Sequence, residues 1–432
     1  MNKFFAKIVD VKPNEIRALW LGFAFFFVIL AGYYVIRPIR DNIGATNFEN
    51  LWWMFTAVLL AMVVANALFS TVVARMPRRR FIPIAYRFFA LNLLLFFGLM
   101  QMIPPGKQPW VDISFFIWVS VFNLFNTAIF WGFMTDLFTS EQGKRLFGFI
   151  AVGGSLGAIL GPIIATFLAQ RVTWLLLISA GMFGLAAQCV RFFPADFRRP
   201  DERLDQAAAA EQPIGGRFWE GVTHVCRSPY LFALFLFILL YTLTSTWTYL
   251  QQSDLTRTGF ASSGARRAFF AKLDLSVNTL TFLLQIFLTG RLMKSLGVTF
   301  TLLFMPVLSL FGFVAIGLSP GISMLAVFQV ARRASTFAFM RPAREVLFTV
   351  LRREDKYKAK SFIDTFGYRC GDQFGAWTYS GLRAFGLGLT TISYLAVPVV
   401  AIWCLIGAWL GRKQRALAEA QEQERAPVAK AA

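Results

Sequence analysis

Apolar runs of about 20 residues recur along the chain, separated by short polar breaks. An α-helix of that length crosses the hydrocarbon core of a bilayer. Nothing in that core can satisfy an unpaired peptide group, so repeated runs of this kind point to a bundle of membrane helices. The charge content agrees: 57% of the 432 residues are hydrophobic and only 15% are charged, too few to cover a soluble protein of this size. Spans are placed at roughly 18–38, 51–74, 81–103, 111–134, 147–169, 172–193, 229–251, 268–290, 298–318, 321–344, 361–386 and 391–411. The expected fold class is all-α integral membrane, with 12 transmembrane helices. The first run begins near Ala18, is too long for the apolar region of a signal peptide, and has no A-x-A-like site after it. It is read as the first span.

The chain carries a net charge of +20, and the position of that charge argues against nucleic acid as its partner. With the N-terminus inside, and with Arg191 and Arg344 at the inner ends of their spans counted as cytoplasmic, 29 of the 43 Lys and Arg fall in cytoplasmic segments, 6 in external loops and 8 in spans. This bias places both termini in the cytoplasm. Cys189, Cys226, Cys370 and Cys404 are scattered and His224, the only histidine, lies in a loop, so no metal site or His-dependent catalysis is expected. No cofactor is expected, and no nucleophile–base pair suggests an enzyme.

The polar, Ala-rich segment 194–228 reads as a cytoplasmic linker. It separates a six-helix bundle over 1–193 from a second over 229–411, followed by a tail over 412–432. The halves look related. Leu-Phe-Thr at 137–139 matches 347–349, and with four extra residues in the second loop Lys144, Gly153, Gly157 and Gly161 fall on Lys358, Gly367, Gly371 and Gly375. Basic loops, "VVARMPRRR" and "TGRLMKSLG", follow the second and eighth spans, as in major facilitator proteins. A duplicated 6+6 layout predicts a transporter with its site near the midplane between the halves. The stripe Gly153, Gly157, Gly161 is read as a close helix contact that slides during transport.

The eight basic residues in spans are Arg37, Arg87, Lys272, Arg332, Arg333, Arg341, Arg369 and Arg383. The clear acids are Asp274, Asp364 and Asp372, with Asp112 and Glu345 at edges. A charge at the bilayer centre costs about 2.5–3.5 kcal/mol on insertion scales, so it faces protein or a wet cavity. Surplus arginine in a cavity suits an anion, because guanidinium forks onto phosphate or carboxylate. Arg332 and Arg333 lie about 16–18 Å deep, and Arg369 about 12 Å. Adjacent helical residues differ by about 100°, so one of Arg332 and Arg333 faces the cavity fully. Alternatives stay open: a static interhelical ion pair for Arg332 or Arg333, snorkelling for Arg87, Arg341 and Arg383, and same-helix pairs Arg369–Asp372 and Arg37–Asp41, which leave Arg40 the freer charge. Tyr241, Thr244, Thr248 and Gln252 share one face of the seventh span, Asn123 and Asn126 one of the fourth, and Asn278 and Gln285 one of the eighth. They line a cavity or bond between helices. Trp131, Tyr34 and Trp247 either stack on a planar ring or pack together.

Three stretches carry a resemblance. "FWGFMTDLFTSEQGKRLFGFIAVGG" from Phe130, "KYKAKSFIDTFGYRCGD" from Lys356 and "YYVIRPIRDNIG" from Tyr33 resemble motifs of the ATP/ADP translocase family. These are non-mitochondrial nucleotide antiporters with a major-facilitator-type fold. Arg40–Asp41 stands where that family has Lys-Asp, and Met134–Thr135 where it has Ala-Asn. The resemblance implies a bacterial relative in the inner (cytoplasmic) membrane. It carries over Arg37, Arg40 and Asp41, then Lys144 and Arg145, then Lys358, Asp364 and Arg369.

The resulting expectation is a secondary transporter of an organic anion, favoured a nucleotide or other phosphorylated metabolite. Arg37, Arg40, Arg332, Arg333, Arg369, Asn123, Asn126, Tyr241, Thr244, Thr248 and Trp131 are candidates for contact with it. Asp41, Asp274, Asp364 and Asp372 are candidates for proton coupling, and Lys144, Arg145 and Lys358 for gating. Its partners are the anionic small molecule and the lipid bilayer, and a monomer is compatible with this. The alternatives are proton-coupled uptake of another amphiphilic anion, such as a cell-wall fragment or siderophore, and a non-transporting membrane receptor.

Overall fold

Backbone pairing within each apolar run produces helices throughout the computed structural model, which describes residues 11–13, 15–76, 78–103, 109–138, 140–193, 225, 227–351, 360 and 363–431. In chain order these are α1 (Ile16–Thr46), α2 (Leu51–Arg75), α3 (Arg78–Met102), α4 (Pro109–Leu137), α5 (Ser140–Phe167) and α6 (Val172–Phe192). Then follow α7 (Pro229–Gly259), α8 (Ser263–Leu284), α9 (Gly290–Leu318), α10 (Ile322–Ser335), α11 (Tyr368–Ala384) and α12 (Leu389–Ala431). Among the described residues, ten of these helices are long and apolar enough to cross a membrane; α10 and α11 are not among them. Both are shortened by π-helical turns: Thr336–Met340 separates α10 from its continuation Arg341–Leu347, and Ile363–Gly367 precedes α11. A third π turn, Gln285–Thr289, extends α8. Exposed apolar side chains such as Leu60, Val63, Val64 and Leu68 on α2 and Leu91 and Leu95 on α3 suit contact with lipid.

Two compact units divide the chain: Met1–Ala210 with Thr256–Asn278, and Glu211–Leu255 with Thr279–Ala432. Helices α7 and α8 therefore contribute to both.

The duplication seen in the sequence has a packing counterpart in each unit. In the first, Gly153, Gly157 and Gly161 of α5 lie against the α1 backbone, where a Cβ would press on the carbonyl oxygens of Phe23 and Phe27 and come 2.6 Å from that of Ala31. In the second, Gly371 and Gly375 of α11 lie against α7, with a Cβ 2.8 Å from the Leu239 oxygen and 2.9 Å from that of Leu243. Small residues let two backbones approach, and dispersion and weak C–H···O contacts then hold them. Each stripe is thus a filled contact inside its own unit, against α1 in the first and α7 in the second. Gly157→Val is expected to lower the thermal midpoint sharply, because the obstructing atom is backbone; overpacking costs about 1–3 kcal/mol even where side chains can adjust. Gly148→Ala, with open space around its Cα, should leave the midpoint unchanged in the same thermal-shift measurement.

Candidate functional site

The second unit holds a buried cation with neutral ligands only. Arg332, near the end of α10, is 2% exposed. Its Nε donates to Ser309 Oγ at 3.2 Å, its Nη1 to Ser245 Oγ at 2.8 Å, and its Nη2 to Thr244 Oγ1 at 2.8 Å and the Tyr241 carbonyl at 3.3 Å. The Tyr241 ring lies 5.7 Å from the guanidinium carbon. The hydroxyls are positioned to accept, because Thr244 donates to the Leu240 carbonyl and Ser309 to that of Met305. Among the described residues no carboxylate forms an ion pair with Arg332. Arg333, turned away by one helical step, is half-buried.

The predicted polar face of α7 is present and packs on α10. Thr244 and Thr248 are fully buried, and Gln252 accepts from Gln329 at 2.7 Å. Thr248 donates to the Thr244 carbonyl, while Tyr241 remains half-buried beside Tyr368 and Trp403, at centroid distances of 6.1 and 6.0 Å.

The other charges in spans are more compensated than the sequence suggested. Arg369 pairs with Asp372 at 3.2 Å, and Asp372 also accepts from Thr246. Arg383, read as a snorkelling residue, pairs with Asp254 at 3.3 Å. That acid was placed outside the seventh span, but α7 continues to Gly259 and brings it inside. Arg87, Lys272 and Arg341 are exposed, and Arg341 sits over the Phe337 ring. Among the described residues, Arg332 is thus the most deeply buried of these span arginines and has neutral hydrogen-bond partners, while Arg267 at the start of α8 is also buried and donates to the Ala169 carbonyl.

Arg344, at the inner end of the tenth predicted span and counted with the cytoplasmic charges, has contacts that the sequence does not show. It is buried, and it donates to Asp364 at 2.9 Å, the Tyr368 hydroxyl at 2.7 Å and Glu345 at 2.7 Å. Glu345 also pairs with Lys360. Only the tertiary fold brings Asp364 and Tyr368 to it.

The first unit contains a charge-balanced network. Arg37 of α1 reaches Asp274 of α8 at 3.2 Å and Asp41, one turn along, at 3.6 Å. Arg40 bonds Asp41 at 2.7 Å and Ser120 at 3.3 Å, and lies 4.2 Å from the Phe116 centroid. Arg40 is therefore not the freer charge that was expected. Nearby, Arg266 donates to Asn42, Arg257 pairs with Glu49, and Asn278 donates to the Ala158 carbonyl. All four aspartates proposed for proton coupling are ion-paired.

Asn123 is exposed, whereas Asn126 is fully buried with neither side-chain amide atom hydrogen-bonded among the described residues. Gln285 is exposed and reaches the Phe337 carbonyl at 3.4 Å. Trp131 packs edge-on to Phe26, Phe130 and Phe147, Tyr34 to Tyr33, and Trp247 donates to Thr378. Arg145 holds buried Glu15 at the start of α1, assisted by Gln142. Burial raises the Glu15 pKa, yet the Lys12 amide, Gln142 and Arg145 together hold it below the usual carboxylate range. The Lys144 side chain and all of Lys358 lie outside the described residues.

Apolar spanning helices, glycine-mediated packing repeated in two units, and arginines buried among polar side chains define a polytopic α-helical protein with a transporter fold. Residues 18–343 match the Major Facilitator Superfamily profile, and the chain belongs to that family. Its fold is similar to that of a bacterial homologue of the iron transporter ferroportin in an inward-facing state, with TM-score 0.64 and 11% identity over 93% of this chain and 100% of that one. It is also similar to a mutant of the nucleoside transporter NupG, with TM-score 0.62 and 12% identity over 92% and 99%. A bacterial homologue of the human lysosomal transporter Spinster gives TM-score 0.55 and 14% identity over 94% of each chain. No curated protein matches the sequence.

Proposed function

We propose that the protein is a secondary transporter that moves an organic anion through the bacterial inner membrane by alternating access, with twelve spans and both termini cytoplasmic. The observation that carries the reading is Arg332, a buried guanidinium surrounded by hydroxyls, a carbonyl and a tyrosine ring. Withdrawing an ion from water costs several kcal/mol, and neutral hydroxyls offset only part of that. A phosphate or carboxylate on the cargo supplies the missing counter-charge and meets the guanidinium with charge-assisted hydrogen bonds. The resemblance of the three stretches to ATP/ADP translocases favours a nucleotide or another phosphorylated metabolite. Thr244 and Tyr241 are placed to share the contact with Arg332.

The buried carboxylate of Asp274, 1% exposed, supports a second reading in which proton movement drives uptake. One experiment separates the two. The purified full-length protein is reconstituted in vesicles, and uptake of labelled ATP, ADP and phosphate is measured with and without internal nucleotide. Stimulation by internal nucleotide is the expected result and indicates exchange. Accumulation that follows an imposed pH gradient indicates symport. Absence of uptake of every anion tested under both conditions overturns the proposal.

A further inference from the structure

We propose that Arg344 is a second anion-binding station of the second unit, turned onto the face of Arg332 by the π-helical turn between them. The proposal rests on reading the protein as an anion transporter. Twelve residues separate the two arginines. At about 100° per residue, an uninterrupted α-helix would leave them about 120° apart. The π turn Thr336–Met340 accommodates one extra residue, which removes about 100° and leaves them about 20° apart. Their contacts agree with that register. Arg332 lies 5.7 Å from the Tyr241 centroid, Arg344 lies 5.6 Å from that of Tyr368, and the two rings are 6.1 Å apart. Guanidinium, phenol, phenol and guanidinium thus follow one another along the unit.

Arg344 has the character of a built site. It is 9% exposed, its Nε–H is buried without a hydrogen-bond partner among the described residues, and the Tyr368 hydroxyl, which accepts from Nη1, is a further polar group for an oxyanion. Asp364 and Glu345 hold the other edge of the guanidinium. Glu345 is shared with Lys360, so an arriving phosphate or carboxylate that displaces it leaves it still paired. The ligand chemistry is an oxyanion, with the two tyrosine rings offering a surface to any flat group attached to it.

The test uses the full-length protein in detergent, with the thermal midpoint followed as inorganic pyrophosphate, ADP or adenosine is titrated. Pyrophosphate and ADP are expected to raise the midpoint and adenosine to have no effect. Arg344→Gln should raise the half-saturating pyrophosphate concentration about tenfold, as expected for loss of one charge-assisted contact. Arg344→Lys should restore part of the response, and Arg332→Gln combined with Arg344→Gln should abolish it. Deleting Ala338, which removes the extra residue of the π turn, should reproduce Arg344→Gln; if that deletion does not fold, the point variants decide. A structural role for Arg344 would lower the basal midpoint while leaving the pyrophosphate dependence unchanged, and that result overturns the station. An Arg344→Gln response equal to the parent's beside loss in Arg332→Gln also overturns it, while leaving the transporter reading intact. No response of the parent to pyrophosphate or ADP overturns both.

Discussion

Replacing Arg332 with methionine is expected to abolish uptake of the anionic cargo while leaving the protein at least as stable as its parent. Removing a buried cation usually strands its carboxylate, at a cost of roughly 3–5 kcal/mol. Among the described residues Arg332 has no such partner to strand. Its neighbours are Ser309, Ser245, Thr244 and the Tyr241 carbonyl, and two of those hydroxyls keep their own bonds to helix carbonyls when it leaves. Methionine fills much of the same volume without a desolvation cost. Function should move the other way. Hydrogen bonds to charged groups contribute about 1.5–3 kcal/mol, so losing one weakens cargo binding by roughly 10- to 100-fold. Arg332→Lys should be intermediate, because an ammonium keeps the charge but not the fork. Uptake into vesicles and the thermal midpoint in detergent, measured on the same preparations, check both halves of the expectation. A large fall in midpoint with uptake retained would make Arg332 a structural strut.

The parts of this arrangement that depend on local spacing were legible in the sequence. The apolar runs became helices, and Thr244, Thr248 and Gln252 share a buried stripe because 3.6-residue periodicity is intrinsic to the helix. The 100° step puts Arg332 and Arg333 on different faces of the helix, and Arg332 is buried while Arg333 is half-buried. The same-helix pairs Arg37–Asp41 and Arg369–Asp372 follow from i,i+4 and i,i+3 spacing. What escaped depended on tertiary structure or on small departures from regular geometry. Asp254 falls just beyond the 229–251 span because hydropathy drops before α7 ends, so its ion pair with Arg383 does not show in the sequence. Arg344 looked like one more inner-face charge because a π turn has no clear sequence mark, and one extra residue reassigns every side chain beyond it to another face. The glycine repeat was visible, but which helix it packs against was not.

Asp274→Asn is expected to destabilise the first unit by about 3 kcal/mol, the low end of the range for breaking a buried pair, since Arg37 keeps Asp41 at 3.6 Å. Asp274 is 1% exposed, and the Arg37 guanidinium at 3.2 Å offsets part of its desolvation. The converse substitution, Arg37→Met, should be worse, because it leaves that buried carboxylate without the guanidinium; Asp41 still has Arg40 at 2.7 Å. Combining Arg37→Met with Asp274→Leu removes both charges together and should recover most of the lost stability, giving a coupling energy above about 1 kcal/mol in a double-mutant cycle. Thermal midpoints of the four proteins in detergent measure it, and strictly additive losses would show that the 3.2 Å contact contributes nothing specific. The result bears on where cargo charge is received. In the first unit Arg37, Arg40, Asp41 and Asp274 form a network with two charges of each sign, so an anion entering there must displace a carboxylate already in place. At Arg332 it displaces only hydroxyls and a carbonyl from the guanidinium. The two sites therefore differ in the work an anion must do to bind, and the smaller competition at Arg332 is why substitution there should affect transport more than stability, whereas substitution at Asp274 should reverse that order.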